Sequence, residues 1–156
     1  MSEPELLSVP RQLVIFRVGV TQYGVAIEDV EEILSPQLVT RVPGAPNGVL
    51  GLADVRGQVV PVFDLHWKFG VPDSEDDLNT RFVLVRTYEG PVALLVDAVE
   101  EVVDSRREAF QSVRTPGQPA GLGYLNGVFH HAASLVLWVD PARLVPVGLA
   151  RAVQAA

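Results

Sequence analysis

Asp64 and His66, in the run PVFDLHW, are the residues whose types and spacing best suit chemistry. Side chains two residues apart lie on one face of an extended strand, so the pair could act as an acid and a base, or as two metal ligands. No third ligand and no nucleophile stand beside them. We therefore interpret Asp64 as the residue at the end of a strand and His66 as a half-exposed neighbour.

Other candidates for catalysis are weaker. His130 and His131 are adjacent, so on a strand their side chains point to opposite faces. The chain has no cysteine, which excludes disulfides, thiolate nucleophiles and cysteine metal ligands. Neither GxSxG, nor HExxH, nor a phosphate-binding loop occurs. The sequence thus predicts no catalytic residue, no metal and no cofactor.

Composition limits the class of protein. The chain has 156 residues, of which 48% are hydrophobic and 20% charged, enough for one domain with a core or for two small halves that share one. Its net charge is -7 and its 12 basic residues do not cluster, so we expect no nucleic-acid partner. No window approaches the ~18 apolar residues of a membrane span, and residues 1–12 are unlike a secretory signal. We expect a cytoplasmic protein without direct membrane insertion.

The elements that position these residues are mostly strands. Apolar runs separated by turn residues predict strands in the segments 13–20, 25–27, 49–55, 59–65, 81–104 and 121–140. A helix is predicted only in 141–156, where Asp140 is placed to cap it and Pro141 to occupy its first position, and Pro146 should interrupt it. The acidic segment 71–80 is predicted to be an exposed loop.

An internal repeat organises the chain. The run YGVAIEDVEEIL (23–34) aligns with PVALLVDAVEEVVD (91–104), and PVFDL (61–65) has a weaker counterpart in LWVDP (137–141). Two similar β units in tandem, each too small to bury much apolar surface, predict small barrels that share an interface. The repeated glutamates are either ordinary solvent-facing residues or the acidic rim of a protein-binding surface.

The run VPGAPNGVLGLADVRGQVVPVFDLHWKFG (42–70) resembles the central motif of the CheW family of chemotaxis coupling proteins. That motif has a proline-bearing loop, a glycine, an arginine–glycine turn and a strand ending in Pro-x-x-Asp-Leu. Here these elements are Pro46, Gly51, Arg56-Gly57 and the run 61–65. VEEI (30–33) and LLVDAVEEVV (94–103) also fit the family, and the resemblance covers about residues 12–147.

The resemblance implies a mainly β fold with two intertwined five-stranded barrels of the Src-homology type, related by a pseudo-twofold. Residues 1–11 would be a tail, 12–147 the domain with halves of about 13–70 and 80–147 that exchange strands, and 148–156 a tail or short helix. Family members are adaptors that bind the regulatory domain of the histidine kinase CheA and the cytoplasmic tip of chemoreceptors. The implied location is the cytoplasm, at membrane-associated receptor arrays.

The resemblance also assigns residues to these partners. Glu32 and Gly51 match positions in the kinase contact. The positions that match the receptor-binding groove between the halves are Val30, Arg56, Phe82, Val99 and Val102. We expect Arg56 to stand at this groove, near Val30 and Val99.

Departures from the family leave alternatives open. Asp54 replaces a small polar residue and could pair with Arg56, while the Pro- and Gly-rich segment 114–121 has no family pattern. The protein could instead serve a non-flagellar chemosensory system that controls type IV pili or gene expression. A more remote alternative is a small-molecule-binding β-barrel, or a hydrolase that uses Asp64 and His66.

Overall fold

The computed structural model describes residues 9–73, 78–112 and 123–154. The strands are β1 Gln12–Val18, β2 Thr21–Ala26, β3 Val30–Leu34, β4 Val39–Thr40, β5 Val49–Val55, β6 Gln58–Asp64, β7 Arg81–Thr87, β8 Gly90–Val96, β9 Ala98–Asp104, β10 Ala109–Ser112, β11 Leu125–His131 and β12 Ser134–Val139. The α-helices are α1 Leu65–Phe69, α2 Pro141–Leu144 and α3 Leu149–Gln154, and the 3-10 turns are Ile27–Asp29 and Ser105–Arg107.

The strands form two sheets that each draw on both repeats. The first sheet has the order β10-β11-β12-β2-β1-β9, and the second has the order β3-β7-β8-β6-β5-β4. The hairpin β1–β2 therefore completes a sheet made mainly of later strands, and β7–β8 completes a sheet made mainly of earlier ones. Each sheet has six strands rather than the expected five, because the short strands β10 and β4 add an edge.

The repeat seen in the sequence extends to the pairing register. Leu13 pairs with Ala26 in the first sheet, and the residues 69 positions later, Phe82 and Leu95, pair in the second. The connection between repeats is parallel in both sheets: β12 pairs with β2, and β6 pairs with β8. The two sheets are thus related copies, and each copy needs one hairpin from the other repeat.

Burial explains the long apolar runs at β1 and β7. Leu13 and Ile15 face the core of the first sheet, whereas Val14 and Phe16 face a larger core shared by both sheets. Since successive side chains point to opposite faces, a strand buried on both sides must be apolar at every position. The shared core also receives Phe63 from β6 and other side chains of the second sheet, so it joins the two halves.

Helix α1 was not predicted. Strand β6 ends at Asp64, whose Oδ1 accepts a hydrogen bond from the backbone N–H of His66, 3.0 Å away, and so caps the helix. The predicted strand 59–65 thus ends at Asp64, the expected strand-end residue, and His66 lies in the helix, so the pair does not share a strand face. At the other end of the chain, the Asp140 cap, Pro141 at the helix start and the interruption near Pro146 are confirmed.

His66 joins three parts of the fold. Its Nδ1 lies 2.9 Å from Asp64 and its Nε2 lies 2.7 Å from Asp97, at the corner between β8 and β9. Asp97 also accepts a 2.6 Å hydrogen bond from the backbone N–H of Gly19, in the β1–β2 turn. His66 and Asp97 are 4% and 3% exposed, which corrects the expectation of a half-exposed histidine. An imidazolium here donates to carboxylates on both sides.

The surroundings of His66 set its titration. Burial acts to lower its pKa, but the hydrogen bonds and charges of Asp64 and Asp97 outweigh burial, and the net pKa lies above the ordinary 6.5. The exposed Asp73 adds a third carboxylate 3.6 Å from Nδ1. A pKa raised on folding means that protonation stabilises the folded state.

Three expectations concern segments that lie wholly or partly outside the described residues. Within the acidic segment 71–80, residues 74–77 lie outside the described ranges. So do the Pro- and Gly-rich segment 114–121 and nearly all of the N-terminal tail.

We predict that His66→Ala lowers the free energy of unfolding by about 3 kcal/mol at pH 6, because it leaves Asp97 buried without its cationic partner. The stabilisation by His66 is complete below the unfolded-state pKa and is lost as pH rises through the raised folded-state pKa. Urea denaturation between pH 5.5 and 9 measures it. The exposed His130→Gln serves as the control. A wild-type advantage over His66→Ala that stays constant across this range would contradict the ion pair.

Gly51 gives a second prediction. Its φ is +149°, and a Cβ there would collide with the backbone carbonyl of Thr40. Gly51→Ala should therefore lower the free energy of unfolding by about 2–3 kcal/mol. Gly57→Ala is the matched control, since Gly57 also has a positive φ, +84°, but a Cβ there meets no atom within 4 Å. Equal losses in the two variants would show that the contact with Thr40 is unimportant.

Candidate protein-binding surface

The tight turn between β5 and β6 carries Arg56 to the edge strand β3. Val55 pairs with Gln58, so the turn has two residues, Arg56 and Gly57, and both have positive φ, 54° and 84°. This is the backbone of a type I′ hairpin turn, which matches the twist of the flanking strands. The strained conformation of Arg56 is thus imposed by the hairpin.

At the end of that turn, a guanidinium nitrogen of Arg56 donates a hydrogen bond to Glu32 Oε1. The alternative pairing with Asp54 is wrong, because Asp54 accepts the backbone N–H of Gly57 at 2.7 Å and so closes the turn. The Arg56 side chain is 75% exposed and that of Glu32 26%. A pair this open contributes at most about 1 kcal/mol to stability, so both side chains are available to a partner.

Val30 and Val99 occupy equivalent places in the two sheets. Val30 begins β3 and pairs with Val85, and Val99 lies on β9 and pairs with Phe16. Both are partly buried and pack against the shared core. Val30 lies two residues before Glu32, the residue that Arg56 contacts.

Val102 and its repeat counterpart Ile33 are more open, at 48% and 40% exposed. They lie on the edge strands β9 and β3 of the two sheets. Phe82 differs from the other members of the proposed groove, since it is 1% exposed and belongs to the core of the second sheet. Its assignment to the groove is therefore wrong: β7 is buried on both faces, and Phe82 presents no surface to a partner.

Sequence reasoning missed several exposed apolar residues of the second sheet. Leu38, Val42 and Val59 are 89%, 41% and 44% exposed. Leu38 and Val42 flank β4, whose partner strand β5 holds the buried Gly51. One feature of the sequence could have revealed two of them. Leu38 and Val42 lie between Pro36 and Pro43, in a segment too short to form a buried element. Exposed apolar residues surrounded by polar ones are typical of protein-binding surfaces.

The candidate catalytic pair does not form an open site. Both ring nitrogens of the buried His66 face carboxylates, so the ring has no free lone pair for a substrate or a metal. Asp64, His66 and Asp73 are the only group of three within the described ranges spaced for a metal. His131 lies between Glu108 and Glu101, at 2.8 and 3.2 Å, and the hydrogen bond to Glu108 raises its pKa.

Of the helices in the described ranges, none has the length and apolarity that crossing a membrane requires.

Comparisons with known proteins identify the family. A sequence model of the CheW-like domain matches residues 12–147. A chemotaxis protein CheW of Treponema pallidum is 28% identical over 137 residues, which cover 85% of this chain and 81% of that protein. Protein PilI of Pseudomonas aeruginosa is 29% identical over 115 residues, 74% of this chain and 65% of that protein.

Among solved structures, the scaffolding protein TtCheW of Thermoanaerobacter tengcongensis superposes with a TM-score of 0.75 at 24% identity, over 89% of this chain and 90% of that chain. This likeness confirms the predicted fold of two intertwined Src-homology-type barrels. Because the family model matches most of the sequence, the chain belongs to the CheW-like domain family.

Proposed function

We propose that the protein is a non-catalytic adaptor that couples chemoreceptors to the histidine kinase CheA. The observation that carries this proposal is the contact between Glu32 and Arg56. It joins a residue that matches the family's kinase contact to one that matches its receptor contact. Membership of the CheW-like domain family supports the same role, as does similarity to proteins named for chemotaxis.

The kinase side of the adaptor centres on Glu32 and the second sheet. Glu32 lies on an edge strand, with the exposed Ile33 next to it. The apolar residues Leu38 and Val42 add area of the kind that a partner domain covers. Gly51 contributes indirectly. Because it has no side chain, β5 can lie close to the backbone of Thr40, and this contact shapes the loop that precedes β5.

The receptor side comprises Val30, Arg56, Val99 and Val102. Val30 and Val99 supply a shallow apolar floor, since both are partly exposed above the shared core. Val102 adds an exposed apolar side chain on β9. A helical receptor tip fits such a floor because its own apolar stripe needs a narrow, partly apolar groove.

The mechanism is one of geometry and mass action. An adaptor that holds one partner raises the effective concentration of the other, so two weak contacts give a stable assembly. A receptor signal reaches the kinase only when the receptor binds the adaptor differently in its two states. Arg56 on the receptor side is hydrogen-bonded to Glu32 on the kinase side. A change in how the receptor binds can therefore alter the kinase contact directly.

The proposed location is the cytoplasm, with recruitment to membrane-associated receptor arrays. The rival hypothesis of a hydrolase using Asp64 and His66 has little support, since His66 is buried and bonded on both sides.

A second candidate is an adaptor of a chemosensory system that controls type IV pili or gene expression. The observation that favours it is the similarity to Protein PilI. Binding measured in parallel against the kinase regulatory domains of a flagellar and a pilus system separates the two candidates. Binding to neither kinase domain, nor to a receptor tip, would contradict both.

Charge reversal tests the kinase contact. We predict that Glu32→Arg weakens binding of the CheA regulatory domain by at least about tenfold, because it loses an acidic contact and repels Arg56. Isothermal titration calorimetry measures the effect. Glu101→Arg is the matched control, since Glu101 holds the repeat-related position on β9 and should leave kinase affinity unchanged. Equal losses in both variants would point to a net-charge effect and contradict the contact.

Edge-strand substitutions separate the two partners. We predict that Val102→Asp weakens receptor-tip binding at least about tenfold but leaves kinase binding intact, because a buried, unpaired carboxylate is costly in an apolar contact. Ile33→Asp should do the reverse. Both side chains are about half exposed, so the free energy of unfolding should fall by similar amounts in the two variants, about 1–2 kcal/mol each, which leaves both folded. Loss of the same partner in both variants would contradict the assignment of surfaces.

A further inference from the structure

Strands β9 and β10 form the two edges of the first sheet, and within the described ranges no strand pairing joins them. The 3-10 turn Ser105–Arg107 connects them at one end. A side chain of β11 spans the gap that remains between these edges, here called the seam. The Nε2 atom of His131 lies 3.2 Å from Glu101 on β9, and its Nδ1 atom lies 2.8 Å from Glu108, beside β10. His131 thus links the two edges of the sheet.

The second barrel has a related contact at the same place. Glu101 lies 69 positions after Glu32, the glutamate that Arg56 binds. The β11–β12 turn lies 76 positions after the β5–β6 turn, with Ala132 in the place of Arg56 and a similar positive φ, 52° against 54°. The basic partner in the first barrel is instead His131, which precedes Ala132. Each edge-strand glutamate therefore binds a basic side chain of the facing hairpin, but only the histidine loses its charge near neutral pH.

The geometry of this link requires a proton on both ring nitrogens. Each nitrogen of His131 faces a carboxylate oxygen, and only the imidazolium form can donate to both. The side chains of His131 and Glu108 are mostly buried, whereas that of Glu101 is half exposed. When the proton is lost, Glu101 is released first, because its contact is the longer of the two and the more open to water.

The charges around His131 favour its protonated form. The hydrogen bond to Glu108 is the largest influence and the charges of Glu108 and Glu101 add to it, so the pKa of His131 lies above the ordinary 6.5 although burial acts against the rise. Two uncharged residues adjoin it on β12 and β2: Ser134, which bonds to the backbone of His131, and Gln22, which bonds to Ser134. The other charged groups on the surrounding elements pair with one another or are exposed: Arg17, Glu100, Asp104, Arg106, Arg107 and His130.

We propose that His131 is a pH-sensitive clasp that, when protonated, holds the edge strand β9 across the seam. Within the described ranges β9 pairs with β1 alone, and a bulge interrupts that pairing between Ile15 and Phe16. Elements with few stabilising bonds are the ones that open locally, so one added link has a measurable effect on β9. Since β9 carries Val99 and Val102, the clasp also regulates the receptor side, a consequence that rests on the proposed function.

The pH dependence of the clasp has a definite direction. A pKa raised on folding means that the clasp contributes fully below the unfolded-state value of about 6.5 and is lost as pH rises through the raised folded-state value. In the neutral form, one ring nitrogen turns a lone pair towards a carboxylate, so Glu101 is no longer held. Binding to the receptor side should therefore be tighter at pH 6 than at pH 8.5.

Hydrogen exchange measures the clasp directly. Mass spectrometry gives the protection of the β9 amides, corrected for the intrinsic exchange rate at each pH. We expect His131→Gln to protect β9 about fivefold less than wild type at pH 6 and equally at pH 8.5. His131→Arg, a permanent cation, should match wild type at pH 6 and exceed it about fivefold at pH 8.5. The buried His66 titrates in all of these proteins, so its effect cancels, and the exposed His130→Gln should follow wild type at both pH values.

Equal protection of β9 in wild type and His131→Gln at pH 6 would overturn the clasp. So would an NMR titration of the His131 Hε1 proton that gives a pKa at or below about 6.5.

Calorimetry with a receptor tip tests the consequence for binding. Between pH 6 and pH 8.5, the affinity of wild type for the tip should fall about fivefold relative to that of His131→Arg. An affinity ratio that stays the same at the two pH values would overturn the regulation of the receptor side. Absence of tip binding in every protein, with the exchange pattern intact, would contradict the proposed function and support the clasp alone.

Discussion

The exchange of hairpins between the repeats is the constraint on which the rest of the structure depends. Neither repeat contains the strands needed to complete its own sheet, because β2 and β8 each pair in parallel with a strand of the other repeat. The apolar faces left by this exchange meet in one shared core. Stability is therefore a property of the pair of barrels, since each alone is too small to bury enough apolar surface.

Surfaces available to partners follow from the same constraint. The central residues of β1 and β7, 13–16 and 82–85, are buried on both faces, so they offer no surface to a partner. The residues that can meet a partner, among them Glu32 and Val102, therefore lie on the edge strands β3 and β9. The β5–β6 turn extends this edge, because its positive-φ backbone directs Arg56 back to β3. The two barrels have the same architecture, but their edges differ in sequence and so can recognise different partners.

The sequence was sufficient for the repeat, the fold and most strands, because alternation and turn residues are local signals. It was insufficient for α1, which has five residues and too little length to show a helical period. The ion partner of Arg56 was missed since Asp54 is near in sequence, whereas Glu32 is brought close only by the sheet. Phe82 was misplaced because a continuous apolar run does not reveal which side chains reach the surface.

Strand exchange also has a consequence for synthesis on the ribosome. When β1 and β2 emerge, the strands that flank them in the first sheet, β9 and β12, have not yet been translated. The edges of this hairpin stay unpaired until β9 and β12 have also been synthesised, and unpaired edges favour aggregation. The second sheet can form earlier, since its last strand is β8. Because the two barrels share one core, neither sheet gains its full stability until the strands of both repeats have been made.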